Sequence, residues 1–371
     1  MLMQSEWLRR YFTQQHSEQC SHAMDMNDTG AEPEDNGVSR RDFVKSGFVA
    51  GMAAGMAAGG IVGAFDEAEA EEAQNVMGKW WPSEWGPEDQ VGASNRITPA
   101  KVLEAASLIQ KGNIYRMGMV LEAGVPVFGA RHVSITIPGG PTGGPFGEQE
   151  LMYNDDMFSG EIGQVGSQFD GLGHISAKVG NTIRYYNGFT QEQVGGSYGL
   201  KMLGVENVKP FFTRGILLDV LSLKGGDRLP IGYVITMDDV IQTMRKQGLN
   251  EPKEGDAVFF RTGHIKLWMK DNAEYNKGCP GPGATVAKWL TERKIACVGG
   301  DTWPVEAVPG ENPRRPFECH VIWIAMHGIH IIENQNLEDL AKDQVYEFAW
   351  SFNPLPIKGG TGSPGNSVAI A

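Results

Sequence analysis

The sequence predicts a single α/β domain over residues 76–371, a mixed sheet with flanking helices, preceded by a leader of a different kind. Three observations predict it. The 49 glycines make up about 13% of the chain against a usual level of about 7%, and they are spread among apolar segments as turn residues are. Segments of strand period and helix period follow one another, with strands too numerous and irregularly spaced for a strict strand–crossover repeat. No internal repeat or low-complexity linker interrupts the stretch. With 371 residues and 41% apolar content the chain has ample material for an independent core.

Residues 1–38 carry Glu32, Glu34 and Asp35 without an apolar period and read as a disordered leader. Next comes SRRDFVKSGFVAGMAAGMAAGGIVGA at 39–64, with Ser39-Arg40-Arg41-Asp42-Phe43-Val44-Lys45 ahead of a weakly apolar run. That layout resembles a twin-arginine export signal, so a signal segment is expected over 39–70, with Ala68-Glu69-Ala70 as a small-x-small cleavage site. It implies a periplasmic protein exported by the twin-arginine machinery, started at Met1, Met24 or Met26. The competing reading is a retained anchor, because Gly51, Gly55 and Gly59 recur every four residues, although Ala and Gly are weakly apolar for that role.

Thr98-Pro99 opens a helix, since Thr caps free N–H groups and Pro suits the first turn; Val102, Leu103, Ala106 and Ile109 are its expected inner stripe. Strands are expected at 114–121, 132–138, 214–221 and 256–262. Thr190 with Gln193 forms a capping box, and Thr236 with Asp239 opens a helix that stops near Gly248. Residues 283–294 read as a helix with Val286, Trp289 and Leu290 inward, 296–300 as a short buried strand, and 344–352 as another strand. Trp80, Trp81 and Trp85 form an aromatic cluster for a substrate mouth, an oligomer face or satellite packing.

The net charge of −13 excludes a phosphate backbone as partner, because nucleic-acid binders concentrate Lys and Arg. Beyond the leader's Cys20, the cysteines Cys279, Cys297 and Cys319 have no CxxC spacing; they are three buried small residues, or one disulfide and a free thiol.

Six histidines lie beyond the leader, so their placement is informative. In SQFDGLGHIS, residues 167–176, Gln168, Asp170 and His174 offer an amide oxygen, a carboxylate and an imidazole on a glycine-rich loop. The alternative is an Asp capping its own turn beside a satisfied histidine. In CHVIWIAMHGIHIIE, residues 319–333, Gly328 breaks an apolar run, and a helix–turn–strand would bring His320 and Glu333 to one cavity. Glu333 at the end of an apolar strand calls for a cation, while His327 and His330 read as a surface residue or core histidine with backbone partners. Gly195-Gly196-Ser197-Tyr198-Gly199 matches G-x-S-x-G, and Asp301 then His320 would complete a serine-hydrolase order, but the helical FTQEQV before Ser197 is the wrong context.

WGPEDQVGASNRITP at 85–99, SQFDGLGH at 167–174, LLDV at 217–220, RTG at 261–263, GDTWPVEAVPGENPRRPFECH at 300–320, HGIHIIENQNLEDLA at 327–341 and PLPIKGGTGSPGN at 354–366 together carry a resemblance. Residues 80–371 resemble the cyclase family that includes bacterial kynurenine formamidases, isatin hydrolases and trans-dienelactone hydrolase. The resemblance implies the swivelling β/β/α cyclase-like fold, a small-molecule amide, lactone or ester substrate, hydrolysis, and a homo-oligomer. The formamidase pattern H-x-G-T-H-x-D-x-P-x-H puts its aspartate on Asp170, its last histidine on His174 and its glycine on Gly166. Its two leading histidines become Gln164 and Gln168, its Thr becomes Ser167 and its Pro becomes Leu172. His320 and Glu333 fall on the remaining family ligands.

Gln is a neutral oxygen donor and a poor substitute for imidazole on Zn²⁺. The resemblance therefore implies one divalent metal, Mn²⁺ or Zn²⁺, held by Asp170, His320 and Glu333 with Gln168 as a further donor. The cation would activate water, and His174 would carry the proton to the leaving group. The two glutamines also motivate a periplasmic metal- or ligand-binding protein without hydrolase activity.

Overall fold

A computed structural model describes residues 78–371; the stretches expected as a leader (1–38) and as a twin-arginine signal (39–70) lie outside them. A nine-stranded mixed sheet forms the frame, in the order Ile114–Arg116, Val368–Ile370, Glu347–Phe352, Phe211–Asp219, Ala257–Arg261, Cys297–Gly300, His330–Glu333, Gln168–Asp170, Gly362–Pro364. The four strands from Phe211–Asp219 to His330–Glu333 run parallel, and those flanking them pair antiparallel.

The parallel strands are apolar nearly throughout because both faces are covered. Ile216, Leu218, Val258, Phe260, Val298 and Ile331 belong to one core, with Val240 and Met244 of the helix Met237–Gln247 and Val286, Ala287 and Leu290 of Ala284–Glu292. The alternate residues Leu217, Phe259, Cys297 and Ile332 enter a second core with Phe169, Phe348 and Trp350. The period of two thus divides one sheet between two cores. Cys279, Cys297 and Cys319 are buried free thiols.

The expected capping boxes form at Thr190 and Thr236, and Gly248 ends its helix at φ 68°. The helix Pro99–Ala106 is capped by Thr98, but its inner face is not the stripe expected. Lys101 and Ala105 are buried while Leu103 is 71% exposed, because the Lys101 ammonium pairs with the buried Asp256 and its stem lies inward with it. Trp289 is half-buried under the Arg293 guanidinium at 4.2 Å. The strand expected at 114–121 ends at Arg116, where the chain leaves the sheet edge. The strand expected at 132–138 forms over Val133–Thr136, but outside the main sheet. It pairs with Met157–Gly160, and Gly143–Phe146 with Leu151–Tyr153, as a two-tier β arm. Among the described residues no helix is long and apolar enough to cross a membrane.

Candidate metal centre

Asp170 stands opposite Ile331, and Gln168 opposite Glu333, in the antiparallel pair that joins their strands. Residues directly opposite, and residues two apart on one strand, share a face, so Gln168, Asp170 and Glu333 all project to the same side. Glu333 ends the last parallel strand, at the carboxyl edge where open α/β sheets receive ligands. His320 arrives from above on the turn Glu318–His320, which continues as a π-helical turn over Val321–Met326. Gly328 then takes φ 62°, and the chain re-enters the sheet at His330. The helix–turn–strand reading of 319–333 is what forms.

Ligand atoms of Asp170, His320 and Glu333 all lie within 4.8 Å of one another, and all three residues are buried. His320 Nε2 is 3.3 Å from Glu333 Oε1 and 3.8 Å from Asp170 Oδ2. Asp170 Oδ2 is buried without a hydrogen-bond partner, and Oδ1 accepts from Gln164 Nε2 at 3.3 Å. Gln168 Nε2 donates to Gln164 Oε1 at 3.4 Å, so the two glutamines run as a chain to Asp170. The Asp170 carboxylate is therefore aimed at the cluster and does not cap its own turn.

His174 closes the turn through its backbone N–H to Gly171 (3.0 Å), and its Nε2 lies 3.9 Å from Asp170 Oδ1. Burial depresses its pKa below the ordinary value against the pull of Asp170, and the charges of His320 and Arg131 add to the depression. That direction favours the neutral imidazole, and a fifth of the side chain is exposed.

Glu306 was given no role by sequence reasoning, yet it organises the centre. Its carboxylate accepts the backbone N–H groups of Cys319 (3.1 Å) and His320 (2.9 Å), and one of its oxygens also meets His320 Nδ1. It thus caps the helix and orients the ring, leaving Nε2 for Asp170 and Glu333. A signal existed: an acid inside Val305-Glu306-Ala307-Val308 needs a buried partner.

Burial opposes charge on His320, but hydrogen bonds to Glu306 and Glu333 override it and push its pKa up to about 10. Burial and the neighbouring Asp170 push Glu333 up to about 8. Crowded carboxylates around one imidazole require positive charge, which a proton or a divalent cation can supply. With an unpartnered carboxylate oxygen in a ring of three convergent donors, this set fits a divalent metal.

The other sequence candidates part from the centre. His330 is fully buried, with Nε2 3.2 Å from the Val91 carbonyl, and His327 is exposed. Ser197 follows the helix Gln191–Val194 in an irregular turn, and the Asp301 carboxylate is taken up by Thr262 and Gly263, so no nucleophile elbow or triad forms. Trp80, Trp81 and Trp85 line a separate cavity of about 360 Å³ with Tyr186, Met326 and His327.

Known proteins bear on this arrangement. A solved structure described as a novel cyclase is 31% identical, with TM-score 0.68, covering 78% of this chain and 96% of that one. An isatin hydrolase bound to the product analogue thioisatinate is 21% identical (TM-score 0.51, 73% and 95% covered). Isatin hydrolase A from Ralstonia solanacearum is 19% identical (TM-score 0.51, 73% and 97% covered). These two show likeness of fold. No curated protein matches in sequence. Residues 115–307 match the family described as "Putative cyclase", and with the 31% identical neighbour this establishes that the chain belongs to the cyclase family.

Proposed function

We propose that the chain is a metal-dependent hydrolase of a small cyclic or linear amide, lactone or ester. The carrying observation is Asp170 Oδ2, buried without a partner among convergent ligand atoms of His320 and Glu333. These three residues would hold one divalent cation, Mn²⁺ or Zn²⁺, with Gln168 as a neutral fourth donor beside Glu333. A cation there would supply Lewis-acid polarisation of a carbonyl and acidify a water molecule. His174, partly exposed beside Asp170 and with its pKa depressed by burial, takes the proton of the attacking water and returns it to the leaving nitrogen or oxygen. Glu306 keeps the His320 ring in place throughout.

The test joins elemental analysis of the purified protein to a panel of amides, lactones and esters, with and without chelator. Chelator-sensitive hydrolysis with about one metal per chain supports the reading. His174→Ala is expected to lower turnover by at least about a hundredfold while metal content survives; equal loss of both would make His174 a ligand instead. The Gln164 bond to Asp170 Oδ1 favours a second reading, a binding protein without hydrolase activity. Tight metal binding with no turnover of any panel member would select it.

Export by the twin-arginine route belongs to the same proposal. Arg40→Lys with Arg41→Lys is expected to retain the protein in the cytoplasmic fraction, and unchanged fractionation would sink that part.

A further inference from the structure

We infer that Arg131, with the indole N–H of Trp303, is an anion-recognition element at the mouth of the Asp170–His320–Glu333 centre, so that the substrate carries a planar group and an acidic one. This rests on the reading of that centre as the active site. Arg131 and Trp303 line one recess with Phe128, Gln164 and Gln168, the two glutamines of the chain that ends on Asp170. The Arg131 guanidinium donates to the Gln164 carbonyl at 3.3 Å and lies 5.6 Å over the Phe128 ring. Among the described residues no carboxylate comes within 4.0 Å of it. A guanidinium has five N–H donors in a planar fork suited to a carboxylate, and these two contacts leave most of them uncommitted.

Trp303 Nε1 is the second donor: it is buried and has no partner. Its ring stacks on Phe128 (4.9 Å, 19°) and meets Phe317 edge-on (6.2 Å, 63°), and Phe317 in turn abuts the ring of His320 (5.7 Å, 82°). An aromatic wall therefore runs from the recess to a residue of the centre, with the Arg131 and Trp303 donors at its outer end. A flat ring that takes the place of Phe128 against the Trp303 face is held by its own face. The recess holds about 10 Å³ as it stands, so a ligand displaces Phe128, which is 46% exposed and on the loop beside Arg131.

The probes are 4-fluorobenzenesulfonate and its neutral counterpart 4-fluorophenyl methyl sulfone, followed by ¹⁹F NMR on the purified full chain. A sulfonate pairs with guanidinium but is a weak metal ligand, so the comparison reads Arg131 apart from any cation. The expected result is binding of the sulfonate about tenfold tighter than the sulfone. That preference should vanish in Arg131→Leu, survive in part in Arg131→Lys, weaken in Trp303→Phe, and persist in Asp170→Asn. No sulfonate binding at millimolar concentration, no preference, or a preference undiminished in Arg131→Leu overturns the inference. Because no turnover is measured, its failure is distinct from failure of the hydrolase reading, which the chelator experiment decides.

Discussion

Glu306 decides what His320 can do. By accepting from both the backbone and Nδ1, it fixes the ring in one orientation, and a carboxylate behind an imidazole raises the basicity of the other nitrogen. Glu306→Gln is expected to weaken metal affinity by about 10- to 100-fold, whereas Asp170→Asn or Glu333→Gln should abolish stoichiometric binding; metal titration with a competing chelator measures both. A Glu306→Gln protein binding metal as wild type would reduce Glu306 to a helix cap. Asp170, His320 and Glu333 stood out in the sequence as polar residues set in apolar or glycine-rich runs, and it was the family resemblance that joined them into one ligand set. Glu306 was visible as a buried acid, but its partner was not, since a 14-residue separation has no periodicity that would bring two side chains together.

At the scale of elements, the joint between helix and strand at Gly328 sets where His320 and Glu333 meet. Gly328 has φ 62°, a Cβ there would come within 2.5 Å of the Tyr186 ring, and its carbonyl accepts from Ala93 (2.8 Å). Gly328→Ala is expected to cost roughly 1–3 kcal/mol, read as a lower urea midpoint at unchanged m-value. The β arm is the other informative element. Two-stranded hairpins are marginal alone, and this one exposes Ile135, Ile137, Leu151, Met152 and Met157. We propose that the arm mediates the homo-oligomer that the family resemblance implies. Ile135→Asp with Met157→Asp should then yield a monomer by light scattering, and an unchanged mass would remove the arm from the interface. Local pattern reading worked best where a cap or an apolar run spoke alone, as at Thr236 and Cys297–Gly300. It failed on Pro99–Ala106, where a buried ion pair with a residue far along the chain outweighed the apolar stripe.

For the molecule as a whole, buried histidines tie stability to pH. Burial holds His264 and His330 down at about 4, against hydrogen bonds to the carbonyls of Tyr275 and Val91 that pull the other way. The unfolded chain protonates both near 6.5, so it binds more protons than the folded one in this window. Their stabilisation is full above about pH 6.5 and falls away as pH drops toward 4, by roughly 2–3 kcal/mol per histidine at pH 4.5. Asp301, raised to about 6 by burial against the hydrogen bonds it accepts, acts in the opposite sense: its contribution is greatest in acid and fades as pH rises through 6. Urea unfolding of wild type and His264→Gln at pH 7.5 and 4.5 separates these effects, because the carboxylates are common to both. The variant should lose less stability on acidification, and an equal loss would show that His264 is not the group involved.

The sequence by itself determined the α/β class, the helix starts at Thr98, Thr190 and Thr236, several of the buried strands, and most of the rare polar residues that had to be explained, because caps, periodicity and composition act over a few neighbours. Tertiary structure decided which of them meet. Strand register put Asp170 on the same face as Glu333, the Gly328 reversal set His320 against both, and folding brought Glu306 and Arg131 to the same place from segments with no local relation to it. Those contacts depend on sheet order and loop closure, long-range properties that no short window of residues encodes.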